Sequence, residues 1–337
     1  MDESECVTVL PNRGRGPGII AELLRRAVIE PPMNLRSRVL CALAGMVAAA
    51  VATDAAGADA SAGLCGAGPL EILLTNDDGF EAPGIRALYG QLRAAGHHVL
   101  LVAPATNASG TSSSFTWGKV TVTRSVDDAN VYGIAGTPAT AVVLGATALY
   151  PADRRPDLVI SGINDGTNTG SLLALSGTVG AALAGTMLLD PPVPGVAVNA
   201  ERPQTPESKQ SLPAAHLDQV AAHLTRLIES TRGWFCDGSR VVRPTTVLNI
   251  NYPSRPVASV RGVKVATQGR TTDLHLDFEP VADGTYESQR ARVPAQPDAA
   301  NSDNTLLEQG YVTVTPISAA LDQRAVPARD LQRRLGK

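Results

Sequence analysis

The tightest constraint on this chain is Glu71-Ile72-Leu73-Leu74-Thr75-Asn76-Asp77-Asp78-Gly79, where an apolar run stops at two adjacent carboxylates and a glycine. An apolar run this short, bounded by turn residues, reads as a strand buried on both faces of a parallel sheet. Polar residues just past the carboxyl end of such a strand face the crevice in which ligands bind. Two neighbouring aspartates there repel each other unless a cation or a shared proton compensates them. Asp and Gly also build ordinary solvated turns. The stretch alone therefore leaves turn and metal site equally open.

The pattern recurs along the chain. Pro83 to Ala95 reads as a helix with proline near its start, Ile85, Leu88 and Leu92 on one face, and Gly96 at its end. His98 to Ala103 is a second buried strand, and His97 and His98 at its start are expected on the surface. Thr106 to Ser114 is then a polar loop at the same sheet edge as the aspartates. Lys119 to Arg124 and Asn130 to Ala135 pair as a hairpin, and Gly136-Thr137-Pro138 opens an Ala-rich helix to Tyr150 with Thr137 as N-cap. Asp157 to Ser161 is another strand, running straight into Gly162-Ile163-Asn164-Asp165-Gly166-Thr167-Asn168-Thr169-Gly170. Ser176-Gly177-Thr178 starts a helix over Val179 to Leu189, and small residues before a helix N-terminus make a ready anion site. Val193 to Asn199 and Thr246 to Asn251 complete the strands, with an amphipathic helix between them from Leu212 to Ser230. His216 and His223 are ordinary residues of that helix. Beyond Tyr252-Pro253 the pattern changes: Val260 to Ala266 and Tyr311 to Pro316 are expected strands separated by a long polar segment with Asp273, Asp277, Glu279 and Asp283.

At 337 residues with a formal net charge of -3 and 4% aromatics, the composition suits an α/β protein and argues against broad nucleic-acid binding, which needs a basic surface. The first segment differs from the rest. Two arginines (Arg36, Arg38) precede the apolar run Val39 to Val51, and small residues follow through Ala60, the order of a secretory signal peptide. Residues 1–62 are read as a leader with the signal in 33–62, translation starting at Met33 and cleavage after Ala58, Ala60 or Ala62. An exported, periplasmic or extracellular protein follows, with no membrane span elsewhere. Of the four cysteines only Cys65 and Cys236 then remain, either as a disulfide or as two unpaired thiols. No cysteine falls in a Cys-x-x-Cys pair or at ligand spacing from a histidine, which excludes a structural zinc site.

Three crevice elements stand out: Asp77-Asp78, Ser109-Gly110, and Ser161-Gly162-Ile163-Asn164. Two carboxylates, a hydroxyl and an amide oxygen form an all-oxygen donor set, which suits one hard divalent cation such as Mg²⁺ or Mn²⁺. A phosphate cradle beside such an ion is equipment for phosphoester hydrolysis. Here the chain resembles the SurE family of metal-dependent nucleotidases. The resemblance is carried by ILLTNDDGFEAPGI (72–85), VAPATNASGTSSSFT (102–116), GTPATAV (136–142), PDLVISGINDGTNTG (156–170), LSGTVGAALAG (175–185), LNINYP (248–253) and EQGYVTVTP (308–316), in family order.

The resemblance implies a Rossmann-like three-layer α/β sandwich with a mostly parallel sheet over 71–255. A β-rich extension over 256–320 would serve oligomer contacts in a homodimer or homotetramer, with a tail at 321–337. It implies that Asp77, Asp78, Ser109 and Asn164 hold the metal, with Asp77, Asp78 and Asn164 catalytic. It places Asn76, Gly110, Ser113, Gly162, Asn168, Ser176, Gly177 and Thr178 near the phosphate. The activity implied is hydrolysis of nucleoside 5'- and 3'-monophosphates, with a metal-activated water attacking phosphorus and Asp77 orienting it. Thr140, Leu175 and Ala184 depart from the family's usual acidic, tyrosine and glutamate residues, which bears on substrate range and suggests a secreted branch. Alternatives are a broad-range acid phosphatase or exopolyphosphatase of the same fold, and a non-catalytic nucleotide- or metal-binding module. A haloacid-dehalogenase-type phosphatase needs Asp-x-Asp and a separate lysine, which the adjacent Asp pair does not match. No Gly-x-Ser-x-Gly elbow or Cys/His pair offers a serine or thiol route.

Overall fold

The short apolar runs form a sheet because each is buried on both faces, and a chain of this kind can return only through crossover helices. The computed structural model describes residues 60–202, 213–272, 274–292 and 297–319. The elements begin with helix α1 (Ala60–Cys65), strand β1 (Glu71–Thr75), α2 (Pro83–Ala94), β2 (His98–Pro104), β3 (Val122–Arg124) and β4 (Val131–Ile134). They continue with α3 (Pro138–Leu144), β5 (Leu158–Asp165), α4 (Gly177–Leu188), β6 (Gly195–Ala200), α5 (Ala214–Thr231), β7 (Cys236–Asp237) and β8 (Arg240–Val241). The last are β9 (Thr246–Tyr252), β10 (Val263–Val265), β11 (Leu274–Ala282), β12 (Thr285–Arg292), α6 (Asp303–Glu308) and β13 (Val312–Ser318). The leader lies outside the described residues except for 60–62, which open α1. Most of the polar segment Glu201 to Gln210, Asp273 and the tail 321–337 also lie outside them.

One nine-stranded sheet carries the fold, in the order β10-β13-β9-β6-β5-β1-β2-β4-β3. The six strands from β9 to β4 run parallel, β3 and β13 are antiparallel to their inner neighbours, and β10 runs parallel to β13. The result is a Rossmann-like sandwich. Helices α2 and α5 cover one face, with Ile85, Leu88, Leu92, Leu217, Val220, Leu224 and Ile228 packed on Ile72, Leu74, Ile160 and Val198. Helices α3 and α4 cover the other, through Ala139, Val142, Ala181 and Ala184 against Leu73, Val102 and Val159. The chain steps outward from β1 through β2 to β4, then returns to β5 on the opposite side of β1. That reversal makes the crevice between β1 and β5 a topological switch point, the usual place for a ligand in such sheets.

Three expectations need correction. The C-terminal segment is not separate from the core, because β13 pairs with β9 and extends the main sheet. The long polar stretch is a hairpin, β11–β12, paired from Leu274↔Arg292 to Ala282↔Thr285. Its acidic residues sit on exposed faces, which masks the alternation Leu274, Leu276, Phe278. His97 is buried rather than on the surface: Leu70 N–H donates to its Nδ1 at 3.1 Å, and Nε2 lies 2.7 Å from Glu229 of α5. The half-buried His223 ring meets the buried Tyr252 ring edge to face, with His216 flanking the same tyrosine. His216 and His223 are thus residues of α5 that pack against Tyr252 of β9.

Cys65 and Cys236 are joined by a disulfide that ties α1 to β7. Beside it the buried Arg232 guanidinium donates to the carbonyl oxygens of Gly63, Leu64 and Gly68, so the first described segment is bolted to the end of α5. No described helix is long and apolar enough to cross a membrane.

Candidate active site

The loops after β1, β2 and β5 meet at the switch point through specific contacts. After β1, Asn76 closes a tight turn: its Nδ2 donates to Gly79 O at 2.9 Å and its Oδ1 accepts from Gly79 N–H at 3.2 Å. Both ends of that amide are therefore committed to shaping the turn that presents Asp77 and Asp78. The loop after β2 is hung on the same turn, with Ala108 N–H donating to Asp77 O at 2.7 Å and Phe80 N–H to Pro104 O at 2.9 Å. This places Ser109, which is exposed, one residue from a backbone contact with Asp77. Within the last half of β5 the register shifts between Ser161 and Asn164, a bulge that re-aims the strand end. Gly162 sits at this bulge with φ +130°, and a Cβ there would collide with Val198 O. Asp165 N–H then reaches Asp78 Oδ2 at 3.1 Å.

The two carboxylates have different surroundings. Asp77 is 3% exposed, and Thr178 Oγ1–H donates to its Oδ1 at 2.5 Å. The backbone N–H groups of Gly177 and Thr178, at the start of α4, also face it. Burial raises its pKa, and these donors oppose that rise. Gly177 is required by the approach, since a Cβ there would lie 2.8 Å from both Asp77 Cβ and Oδ2. Asp78 is pushed up to about 6, by burial first and then by the charge of Asp77, with the Asp165 N–H bond opposing. Arg202, just past β6, makes a two-pronged ion pair with Asp165 (2.9 Å for both bonds), and its charge also lowers the Asp78 pKa.

Among the described residues no three His, Cys, Asp or Glu side chains form a metal-binding group. A cation at this crevice must therefore draw on neutral oxygens as well as Asp77 and Asp78. The surroundings fit such an ion. Two adjacent carboxylates, both with raised pKa, are what a cation would relieve. Asn164 Nδ2 donates to Gly166 O at 2.8 Å, leaving its Oδ1 as the oxygen donor of that side chain. Beneath the pair, Thr75 and Ser161 are neighbours in register, and both buried hydroxyls lack a hydrogen-bond partner among the described residues.

The other expected residues divide into those at the crevice and those that shape it. Gly110 has φ +79° and open space around it, and Ser113 follows in the same loop. Ser112 N–H and Oγ bond Leu175 O and Ala174 O, which holds this loop against the entry to α4. Ser176 is the N-cap of α4, its Oγ accepting from Val179 N–H at 3.0 Å. The expected anion site at this helix start thus receives the Asp77 carboxylate. Asn168 is buried in an amide network: its N–H donates to Asn251 Oδ1, its Nδ2 to Asn199 Oδ1, and its O accepts from Asn249 and Asn251. It braces the loop from below.

Residues not expected from sequence are Asp165, Arg202, Asn107, Asn199, Asn249 and Asn251. The alternation of Asn249 and Asn251 with Leu248 and Ile250 is a signal that polar groups line one face of β9. Arg202 carries no pattern of its own.

Comparisons with known proteins agree with this geometry. Residues 72–274 match the family described as Survival protein SurE. A 5'-nucleotidase SurE from Desulfovibrio desulfuricans is 35% identical over 253 residues, covering 74% of this chain and 92% of that protein. A 5'/3'-nucleotidase SurE from Yersinia pestis is 34% identical over 257 residues, covering 75% and 91%. The crystal structure of the SurE protein from Aquifex aeolicus superposes with a TM-score of 0.62 at 28% identity, covering 78% of this chain and 99% of that one. With the crevice, the sheet order and these likenesses together, the chain belongs to the SurE family.

Proposed function

We propose that this protein is a divalent-metal-dependent phosphomonoesterase that hydrolyses nucleoside 5'- and 3'-monophosphates. The observation that carries the reading is the adjacent pair of buried Asp77 and half-buried Asp78 at the β1/β5 switch point, tied by direct contacts to the loops after β2 and β5. Relatives named as 5'-nucleotidases and a 5'/3'-nucleotidase support it.

Asp77, Asp78, Ser109 and Asn164 would hold the ion. When bound it supplies charge neutralisation at phosphoryl oxygens and a water of lowered pKa. The chain's own residues set the geometry. Thr178 and the start of α4 fix Asp77 in one orientation, so its outward lone pair can align or accept a proton from an attacking water. The open, positive-φ backbone at Gly110 leaves room for phosphoryl oxygens beside Ser109.

The reading extends to the whole molecule. Export is supported by the signal-like segment and the Cys65–Cys236 disulfide. A homo-oligomer is supported by the β11–β12 hairpin, whose Leu276, Phe278, Val281 and Tyr286 are exposed. The decisive assay measures phosphate release from a panel of nucleoside monophosphates with Mn²⁺, Mg²⁺ or EDTA. Activity should need the metal and fall at least about a hundredfold in Asp77→Asn and Asp78→Asn. Nucleotide binding with no phosphate release under any metal would leave only the binding-module alternative.

A further inference from the structure

The segment that carries Asn164 and Asn168 is anchored along its length, and its last anchors lie away from the crevice. Its start is held by Asp165 N–H on Asp78, and its middle by the amide network around Asn168. Its end, Gly170, is held from 133 residues away by the carboxylate of Asp303, at the start of α6. Asp303 is 0% exposed. It accepts from Gly170 N–H at 3.2 and 3.3 Å, from Gly269 N–H at 2.8 Å and from its own neighbour Asn304 N–H at 2.9 Å. Gln268 Nε2 adds a bond to Gly170 O at 3.1 Å. A buried carboxylate is costly unless several donors surround it. Three backbone donors from separate segments are a strong reason for a carboxylate here, where a neutral side chain would leave some of them unsatisfied.

We propose that Asp303 is a positioning residue for the crevice: by fixing Gly170 it sets the far end of the loop that presents Asn164 and Asn168. The C-terminal segment then contributes to the chemistry through the loop as well as extending the sheet. The inference rests on the phosphomonoesterase reading for its kinetic readout, but its structural readout does not.

The competing role is plain bracing of the 266–271 segment, and Asp298 supplies the control. Its Oδ2 accepts from Arg270 N–H, Thr271 N–H and Asn304 Nδ2 without touching Gly170, and it reaches the loop only at its last residue, where Ser171 N–H donates to Thr271 O. The experiment compares Asp303→Ala, Asp303→Asn and Asp298→Ala with the wild type. The readouts are hydrogen–deuterium exchange, direct Mn²⁺ binding by electron paramagnetic resonance, and steady-state kinetics. Asp303→Ala should speed exchange in 164–171 by about tenfold or more, weaken Mn²⁺ binding, and lower kcat by about tenfold with a smaller change in KM. Asp303→Asn keeps one acceptor oxygen and should fall between the wild type and Asp303→Ala in all three. It carries the test if the alanine variant does not fold. Asp298→Ala should speed exchange near 270–272 and at Ser171 while leaving that of 164–170, Mn²⁺ binding and kcat within about twofold of wild type. A folded Asp303 variant with wild-type exchange in 164–171 and wild-type Mn²⁺ binding overturns the inference. So does an Asp298 variant that disturbs the loop equally. If the wild type releases no phosphate from any monoester, the function reading fails while exchange and Mn²⁺ binding still decide the role of Asp303.

Discussion

Replacing Asp78 with asparagine should stabilise the metal-free protein while abolishing its activity. The folded-state pKa of Asp78 is raised from 3.8 to about 6, chiefly by burial and then by Asp77. A raised pKa means the folded state holds this proton more tightly than the unfolded chain. Its contribution to stability is therefore full below about pH 4, is lost as pH rises through about 6, and stays lost above. Two units correspond to roughly 3 kcal/mol, an upper value because the group keeps some contact with solvent. Asparagine retains an oxygen for the Asp165 N–H bond and removes the charge, so the variant should gain roughly 1–3 kcal/mol at pH 7.5 in EDTA. For a domain of this size that is a rise in Tm of roughly 3–8 °C. The difference between the two proteins should shrink to nothing near pH 4. Saturating Mn²⁺ should invert the order, because only the wild type retains both carboxylates, and a thousandfold excess over Kd adds about 4.1 kcal/mol. Scanning calorimetry from pH 4 to 8, with EDTA and with Mn²⁺, measures all of this. A variant that melts at or below the wild type in EDTA at pH 7.5, with an unchanged pH slope, would refute the electrostatic account of the crevice.

Three further outcomes are expected. Gly177→Ala places a methyl against the Asp77 carboxylate and should lower kcat by about tenfold or more while circular dichroism shows a folded protein. Arg202→Ala leaves the Asp165 carboxylate without its ion pair beside Asp78, so carbon-detected NMR of the metal-free protein should show Asp78 titrating at higher pH than in wild type. Cys65→Ser opens a link spanning 171 residues and should cost about 2–5 kcal/mol in urea unfolding, with a reducing agent having the same effect on wild type and none on the variant.

How much of this was legible in the sequence follows from how each feature is stabilised. The parallel strands were legible because burial on both faces writes an unbroken apolar run, as in Ile72 to Leu74 and Leu158 to Ile160. Helix starts were legible where local chemistry sets them: Ser176 and Thr137 both cap as their sequence context suggests. The hairpin β11–β12 was not, because it packs on no described core element, and its few apolar residues alternate with acids. The burial of His97 was not, because the Glu229 that covers it comes from α5, over a hundred residues later. The short helix α6 carries too few residues for any periodicity, yet it delivers Asp303 to the crevice loop.

One contact that the sequence does not show bears on the chemistry at the start of α4. Small residues before a helix predict an anion site, and the structure does place an anion there, but that anion is the protein's own Asp77. The donors of Gly177 and Thr178 that sequence reasoning aimed at phosphate are turned on a carboxylate instead. A phosphate dianion entering the crevice would therefore meet Asp77 and Asp78 with the helix end already engaged, and with Arg202 balanced by Asp165. Nothing described on that side of the site offers it unspent positive charge. The same arrangement that fits a divalent cation thus leaves the cation as the principal attraction for phosphate. On this argument the proposed metal dependence would rest on the position of α4 as well as on the ligand set, because the helix dipole holds the acid rather than the substrate.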